Sequence, residues 1–334
     1  MSTETVGRLS TCLTPSASLL YFAMYVLNSL MPIFLIIALG KLLCRTGFFS
    51  DSLAKSLNRL TYWVALPALL LDKVTNASFN SGDVTRISVL LVAATCGSAL
   101  VAYLAALILR LKPKSIGAFV QGSARSNNAF IGLPVILYSM AALTPGVEAL
   151  ATVALAPAIV FYNILSVSVL LAHSDRKGLG TWKTVQLFVK QLATNPLLIS
   201  CAAALLLNFL GIHFPTAIQR SLSALGGAAL ALALLSIGTS LSFKGIGNGL
   251  LYSLSAASIK VFIQPLIGLG LALLWNLPAV ERQILLIYLA CPTAVASYVL
   301  ADIFGSDRDL AAHIIVVSTL LSAVSLSIII AFGG

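Results

Sequence analysis

A group of polar and helix-breaking residues interrupts a strongly apolar stretch of the chain between positions 115 and 140. It contains two adjacent amides, Asn127 and Asn128, followed by Gly132 and Pro134. Proline lacks a backbone N–H and clashes with the preceding turn, so we expect a membrane helix to break or kink there. Inside a bilayer, the polar groups freed by a break are tolerated only within protein or beside a water-filled cavity. Broken helices of this kind form substrate sites in secondary transporters.

A second apolar stretch, between positions 282 and 304, carries Pro292 and Thr293 near its middle. If both stretches break, the half-helices that start after Pro134 and near Thr293 would present free N–H groups and positive dipole ends to one point. Side-chain amides and a hydroxyl beside them could bind a carboxylate and release it again. The predicted substrate-binding residues are therefore Asn127, Asn128, Gly132, Pro134, Pro292 and Thr293.

Four ionisable residues lie within or at the ends of apolar stretches, where such residues are functional candidates. Arg125 and Lys260 fall inside predicted spans, and Asp72 and Asp302 end two others. All four are candidates for ion coupling or charge balance. The alternatives are snorkelling or a structural ion pair for the two cations, and simple solvation for the two carboxylates.

The elements that would position these residues are membrane helices. Only 9% of the 334 residues are charged and 59% are hydrophobic, whereas a soluble domain carries about 25% charged residues. Hydropathy, together with the polar and helix-breaking residues between apolar runs, predicts ten spans long enough to cross a bilayer. They run roughly over residues 22–43, 57–75, 86–110, 115–140, 147–172, 192–211, 218–241, 248–275, 282–304 and 309–332. The predicted fold class is an all-α polytopic membrane protein.

The distribution of basic residues predicts the orientation of the chain. Of the 20 Lys and Arg residues, thirteen lie in or beside the loops after odd-numbered spans, five lie on the opposite side, and Arg125 and Lys260 lie within spans. The positive-inside rule then predicts that the chain lies in the cell (inner) membrane with both termini on the non-cytoplasmic side. This distribution also accounts for the net charge of +10 without a nucleic-acid partner.

The spacing of the two interrupted stretches predicts an internal repeat. A polar loop at 173–191 divides the spans into two groups of five, and an odd number of spans gives the second group the opposite orientation. The predicted organisation is a polar tail at 1–21, a first repeat at 22–172, a cytoplasmic loop at 173–191 and an inverted second repeat at 192–334. Spans 4 and 9, the fourth of each group, would be broken and cross.

The sequence lacks the patterns that enzymes and pumps require. The five cysteines at positions 12, 44, 96, 201 and 291 are scattered, and no pair has metal-ligand spacing. No phosphate-binding loop or catalytic carboxylate pair is present. We therefore expect no catalytic activity, no metal and no cofactor.

Four stretches of the chain resemble the auxin efflux carrier family, which includes plant PIN-formed transporters and bacterial malate and malonate permeases. These stretches are residues 31–43, 64–71, 127–134 and 291–302, the last beginning Cys-Pro-Thr-Ala. The resemblance implies ten helices in two inverted repeats, a scaffold of spans 1, 2, 6 and 7, and a mobile core working by an elevator cycle. It also aligns Asn127 with the family's substrate-contacting asparagine. Asn128, Ala129 and Cys291 depart from the usual family residues.

The sequence thus predicts a secondary transporter of small organic anions, which are carboxylates or auxin-like acids. Its expected partners are the lipid bilayer and a second copy of the chain in a homodimer. Proton or sodium coupling stays open. The alternatives are a cation or proton exchanger, a bile-acid-like sodium symporter of similar architecture, and a channel. An exchanger would need acidic residues beside the crossing, and a channel would need a continuous polar pore.

Overall fold

The computed structural model describes residues 15–77, 81–173, 186, 189–190, 193–241 and 249–332. Most of the predicted loop at 173–191 and of the predicted tail at 1–21 lies outside these ranges. Within them the chain is helical, and the only β-type pairing is an isolated bridge between Ser126 and Thr293. The prediction of an all-α protein is confirmed.

The described residues of the first part of the chain, 15–77 and 81–173, form seven α-helices and two π-helical segments. They are α1 (Pro15–Arg45), α2 (Asp51–Leu60), π1 (Thr61–Ala65), α3 (Leu66–Thr75), α4 (Ser81–Ile108), α5 (Pro113–Ala124), π2 (Asn128–Gly132), α6 (Leu133–Met140) and α7 (Val147–Ala172). Helix α1 begins inside the segment predicted to be a polar tail. Its first residue is a proline, which is well suited to a helix start because the missing N–H would have no intrahelical partner there.

The second part of the chain contains, in its described residues from Pro196 onward, a further seven α-helices and one π-helical segment. They are α8 (Pro196–Phe209), α9 (Thr216–Ser240), α10 (Leu250–Ser258), π3 (Ile259–Ile263), α11 (Gln264–Leu274), α12 (Ala279–Ala290), α13 (Ala296–Ile303) and α14 (Arg308–Phe332). Six of the described helical stretches are long and apolar enough to cross a bilayer. These are Leu27–Arg45, Gly82–Ile108, Val147–Ala172, Thr216–Ser240, Leu250–Leu274 and Arg308–Phe332. The chain is a polytopic membrane protein.

Each of the three π-helical segments comes directly before an X-Pro pair. The segments π1, π2 and π3 end one residue before Leu66-Pro67, Leu133-Pro134 and Gln264-Pro265, respectively. A π-turn widens the helix by one residue and shifts its hydrogen bonds. This widening lets the chain continue as a helix through a proline that would otherwise leave a carbonyl unpaired and clash with it.

The helices pack into two groups. In the first, α9 packs extensively against α1 and α3, and α8 packs against α3. The backbones of α1 and α9 are in direct contact, because a Cβ on Gly238 would lie 2.0 Å from the Ile37 carbonyl oxygen. Small residues allow this close approach. They favour helix association in a membrane, where the hydrophobic effect does not drive helices together.

The second group contains α4, α5, α7 and α10 to α14, which pack mainly against one another. Helix α4 contacts α5, α7, α11 and α12, and α14 contacts α10, α12 and α13. An ion pair joins the two groups, with Lys73 Nζ on α3 lying 2.7 Å from Glu148 Oε2 on α7. The interrupted stretch α12–α13 and the α5 half of the other belong to the second group, whereas α6 contacts α1 of the first group as well as α7 and α12 of the second.

Candidate functional site

The two interrupted stretches meet and exchange backbone hydrogen bonds. The first interruption, residues 125–127, separates α5 from π2, and the second, residues 291–295, separates α12 from α13. The Asn127 N–H donates to the Pro292 carbonyl at 2.9 Å, and the Ala294 N–H donates to the Arg125 carbonyl at 3.1 Å. The predicted breaks in both stretches, and their contact, are confirmed. Unwound backbone at this depth is satisfied by its counterpart rather than by lipid.

The location of the first break differs from the prediction. The helix is interrupted at residues 125–127, and the following half-helix starts at Asn128, six residues before Pro134. Pro134 sits within the helix that runs on through Leu133–Met140. The prediction that Pro134 creates the half-helix N-terminus is therefore wrong, because the π-turn of residues 128–132 accommodates the proline. In the second stretch, by contrast, Pro292 does lie in the break.

A cavity of about 470 Å³ opens beside this crossing. Residues 125–130 and 294–296 form one wall, α7 forms another, and α2, π1, α9 and the start of α8 close it. The cavity thus lies between the two groups of helices. Its described lining has three basic residues and five asparagines, and no aspartate or glutamate: Lys55, Arg59, Arg125, Asn58, Asn127, Asn128, Asn163 and Asn195. Such a lining favours an anion over a cation.

Asn127 and Asn128 both line the cavity. Asn127 is 7% exposed, and its side-chain amide has no hydrogen-bond partner among the described residues. The Asn128 amide nitrogen lies 3.5 Å from the Tyr162 hydroxyl, at the limit of a hydrogen bond, and its carbonyl oxygen is buried without a described partner. Buried polar atoms are almost always paired in native proteins. Both amides could therefore bind a ligand or water in the cavity.

The other four predicted contact residues, Gly132, Pro134, Pro292 and Thr293, are not among the residues that line the cavity. The Thr293 hydroxyl donates to the Gly122 carbonyl at 2.6 Å, and the Thr293 N–H donates to Ser318 Oγ at 3.0 Å. A Cβ on Gly132 would lie 2.7 Å from the Tyr288 ring and 3.0 Å from Cys291 Sγ. Gly132 and Thr293 thus hold the two interrupted stretches together, and direct substrate contact by Gly132, Pro134, Pro292 or Thr293 stays a prediction.

Arg125 reaches from the first interruption to α7. Its Nη2 donates to Asn163 Oδ1 at 3.0 Å, and its Nη1 donates to Ser166 Oγ at 3.2 Å. Both partners are neutral, and the guanidinium lines the cavity. The predicted alternative of a structural ion pair is not seen, since no described carboxylate lies within ion-pair distance of Arg125.

Lys260 is fully buried and contacts the end of a helix instead of the cavity. Its ammonium donates to the Leu289 carbonyl at 2.6 Å, one residue before α12 ends. One turn further along the same helix, the Gln264 amide donates to the Ala124 carbonyl at 3.1 Å, where α5 ends. Two side chains four residues apart therefore hold the ends of both broken helices. Cations are stabilised at helix C-termini by the helix dipole.

Asp72 and Asp302 lie away from the cavity lining. Asp72 Oδ1 accepts a hydrogen bond of 2.6 Å from Gln219 on α9, which joins α3 to α9. Asp302 is exposed and forms an ion pair of 3.3 Å with Arg308. The structure does not bring either carboxylate together with Arg125 or Lys260, and a coupling role for them stays a prediction.

Several cavity residues were missed by the sequence reasoning. Asn163 and Asn195 both line the cavity, and Lys55 and Arg59 lie at its exposed edge. Asn163 carried a readable signal, because a lone amide in an apolar membrane helix is costly and needs a partner. Lys55 and Arg59 fall among the basic residues at the loop ends of spans, and nothing in their spacing indicates that α2 lines the cavity.

Comparison with known proteins identifies a family of membrane transport proteins. The profile of the family described as "Membrane transport protein" matches residues 25–177 and 166–330. Relatives include two proteins named uncharacterized transporters. One, from Methanocaldococcus jannaschii, is 26% identical over 83% of this chain and 88% of its own length. The other, from Methanothermobacter thermautotrophicus, is 25% identical over 90% of this chain and 95% of its own length. The chain belongs to this family of membrane transport proteins, the auxin efflux carriers.

Proposed function

We propose that this protein is a secondary transporter of small organic anions, with carboxylates as its main substrates. The observation that carries the proposal is the lining of the cavity at the crossing. It combines Arg125 with the side-chain amides of Asn127 and Asn128, the second of which has a buried carbonyl oxygen without a described partner, and no acidic side chain is among its described residues. A charge in the membrane interior needs such compensation, because a bare anion in hydrocarbon is very costly.

The crossing also suits reversible binding. The half-helix that starts at Asn128 has no side-chain cap on its N-terminus, and the same is true of the half-helix that starts at Ala296. Uncapped N–H groups and the positive ends of the helix dipoles attract anions. Amide donors add hydrogen bonds without adding fixed charge, so the ligand is held moderately and can leave. A transporter must release its substrate on every cycle.

We further propose that the helices make ten spans in two inverted repeats, that both termini lie outside the cytoplasm, and that transport is elevator-like. The first group of helices, α1 to α3 with α8 and α9, would be the fixed scaffold. The second group, which carries both interruptions, would move. Support comes from the position of the cavity between the two groups and from the placement of an interrupted stretch in each half of the chain.

The exposed basic residues of the cavity suggest which side is open. Lys55 and Arg59 are exposed at its edge, and the positive-inside rule assigns their side to the cytoplasm. We therefore interpret this conformation as inward-open.

Binding and uptake together test the proposed function. Purified protein would be screened by thermal unfolding against acetate, benzoate, malonate, malate and indole-3-acetate, with benzamide as a neutral control. We expect a carboxylate to stabilise the protein and benzamide to have no effect. The stabilising carboxylate would then be supplied in radiolabelled form to proteoliposomes. Stabilisation by benzamide alone, or no saturable uptake of any carboxylate, would contradict the proposal.

Accessibility labelling separates a carrier from a channel. A single cysteine at Ala296, an exposed residue of the cavity wall, would be introduced after replacement of the native cysteines. We expect a membrane-impermeant maleimide to label it from the cytoplasmic side in the absence of ligand. Equal labelling from both sides at once would indicate a channel.

Ion gradients address the remaining alternatives. An exchanger normally has acidic residues beside the crossing, and the described cavity lining has none, so we expect no cation exchange. A sodium symporter can coordinate its ion through backbone carbonyls of broken helices, so carboxylate uptake is compared with and without sodium. Uptake that requires sodium would favour the symporter of similar architecture.

A further inference from the structure

The Arg125 side chain is held in place by groups that do not neutralise it. Asn163 Oδ1 and Ser166 Oγ, both on α7, each accept one hydrogen bond from its guanidinium. Its backbone carbonyl accepts the Ala294 N–H, so the residue is anchored to the second interruption as well. Main chain and side chain together fix the orientation of the guanidinium. A long side chain that merely avoids lipid would not need three such anchors.

The positive charge of Arg125 has no counterpart in the described chain. Two other described arginines, Arg86 and Arg308, form ion pairs with carboxylates at 2.7–3.9 Å. Arg125 contacts only an amide and a hydroxyl. A guanidinium has five N–H donors, and the described contacts use two of them. The charge and the remaining donors are available to a molecule in the cavity.

We propose that Arg125 binds the anionic group of the substrate, which makes it the residue that selects carboxylates over neutral compounds of the same shape. This inference rests on the proposed function and specifies its charge-binding residue. The planar fork of a guanidinium matches the two oxygens of a carboxylate. Asn163 and Ser166 act as positioning residues, because they orient the guanidinium without neutralising its charge.

Lys55 and Arg59 have a different part in this arrangement. Both are exposed on α2, at the edge of the cavity and on the other group of helices. Exposed charges of one sign around a cleft raise the local concentration of oppositely charged ligands, and salt screens this effect. They speed up arrival of the anion, whereas Arg125 holds it.

The substitution Asn163→Asp is the sharpest test. It places a carboxylate of nearly the same shape on the oxygen that lies 3.0 Å from Arg125 Nη2. An internal ion pair would then occupy the guanidinium and compete with the substrate. We expect affinity for the best-binding carboxylate of the panel, measured by isothermal titration, to fall by roughly 100-fold, with thermal unfolding of the ligand-free protein unchanged or higher.

Matched variants separate charge, geometry and position. Arg125→Gln removes the charge, and Arg125→Lys keeps it but loses the fork, so both should weaken carboxylate binding by at least about tenfold. Asn58→Asp introduces a carboxylate elsewhere in the cavity lining and should weaken binding far less than Asn163→Asp. Ser166→Ala removes one positioning contact and should cost only a few-fold.

The possible results distinguish a failure of the proposed role of Arg125 from a failure of the proposed transporter function. If the wild-type protein binds a carboxylate and Asn163→Asp binds it equally well, Arg125 is structural and the inference is overturned, while the transporter proposal stands. If wild-type protein binds no carboxylate at all, the function and the inference both fail. Should Arg125→Gln not fold, Asn163→Asp still decides, because it retains every described hydrogen-bonding position.

Discussion

The two helix interruptions are joined by matching backbone bonds, yet their side chains differ in chemistry. The first, residues 125–127, has no proline and turns Arg125 and Asn127 toward the cavity. The second, residues 291–295, contains Pro292 and turns Thr293 onto the Gly122 carbonyl. Under the proposed function, the first interruption supplies the ligand-binding side chains, whereas the second adds Ala294 and Val295 to the cavity wall and uses Thr293 to brace the crossing. Similar backbone geometry in the two halves of a chain does not imply equal roles.

The helix ends before the two interruptions also differ. At the end of α5, the carbonyls of Gly122, Ser123 and Ala124 accept hydrogen bonds from neutral groups, which are Thr293, Ser98 and Gln264. At the end of α12, the Leu289 carbonyl accepts from the charged Lys260, and the Ala290 carbonyl accepts from Ser325. Lys260 therefore lies next to the second interruption but outside the cavity lining, whereas Arg125 of the first interruption lies in the cavity lining.

Replacing Lys260 with Gln should reduce transport without reducing stability. A buried cation with no described carboxylate partner is expensive, and the neutral Gln264 shows that a glutamine suffices at the other helix end. We therefore expect Lys260→Gln to unfold at the same or a higher temperature, while carboxylate uptake falls by about tenfold because the crossing loses positive potential. Full uptake by a well-folded Lys260→Gln variant would make Lys260 purely structural.

Adding a methyl group at the first interrupted stretch should disturb the second. A Cβ on Gly132 would lie 2.7 Å from Tyr288 and 3.0 Å from Cys291 Sγ. Overpacking of this kind costs up to about 3 kcal/mol, and we expect Gly132→Ala to lower stability in detergent by that order. Gly227→Ala is the control, because a Cβ there meets nothing within 4 Å and should be neutral or stabilising. Equal behaviour of the two variants would contradict the close contact.

Removing the Thr293 hydroxyl tests the bracing role of the second interruption. Thr293→Val keeps the shape but leaves the buried Gly122 carbonyl without this donor, at a cost of about 2 kcal/mol. The control is Thr319→Val, since the Thr319 hydroxyl bonds only to the carbonyl four residues earlier in its own helix. Denaturation monitored by circular dichroism would compare the two. A larger loss for Thr319→Val would refute the assignment.

Gln264 should show the smallest effect. Gln264→Leu removes the donor to the Ala124 carbonyl, but it also removes a buried amide oxygen that has no described partner. These contributions partly cancel, so we expect a loss of about 1 kcal/mol. A loss greater than that of Thr293→Val would mean that the α5 end depends on Gln264 rather than on Thr293.

The sequence was sufficient to predict the interrupted stretches but not the residue at which the first one breaks. Pro134 was the visible breaker, and the actual break precedes it because residues 128–132 form a π-turn. The same arrangement recurs before Pro67 and Pro265, so an apolar helix can continue through each of these prolines. Pro292, in contrast, lies in a true break, and no local pattern distinguishes it.

Long-range contacts explain the other differences. That Asn127 would face a cavity followed from its type and position, whereas the contact of Lys260 with Leu289 and that of Arg125 with Asn163 depend on packing between distant helices. Spacing along one helix carries no information about such pairs. The cavity therefore contained more basic residues than the prediction from amides and hydroxyls alone.

The most direct test of the central claim is carboxylate uptake by two variants, Asn127→Ala and Thr293→Val, in proteoliposomes with equal amounts of folded protein. If the first interruption binds the anion and the second braces the crossing, Asn127→Ala should fold normally and lose roughly 100-fold in uptake at low substrate concentration, as expected when a site loses a ligand-facing polar group. Thr293→Val should be less stable but retain most of its uptake per folded molecule. Undiminished uptake by Asn127→Ala, or loss of uptake by Thr293→Val alone, would contradict the account.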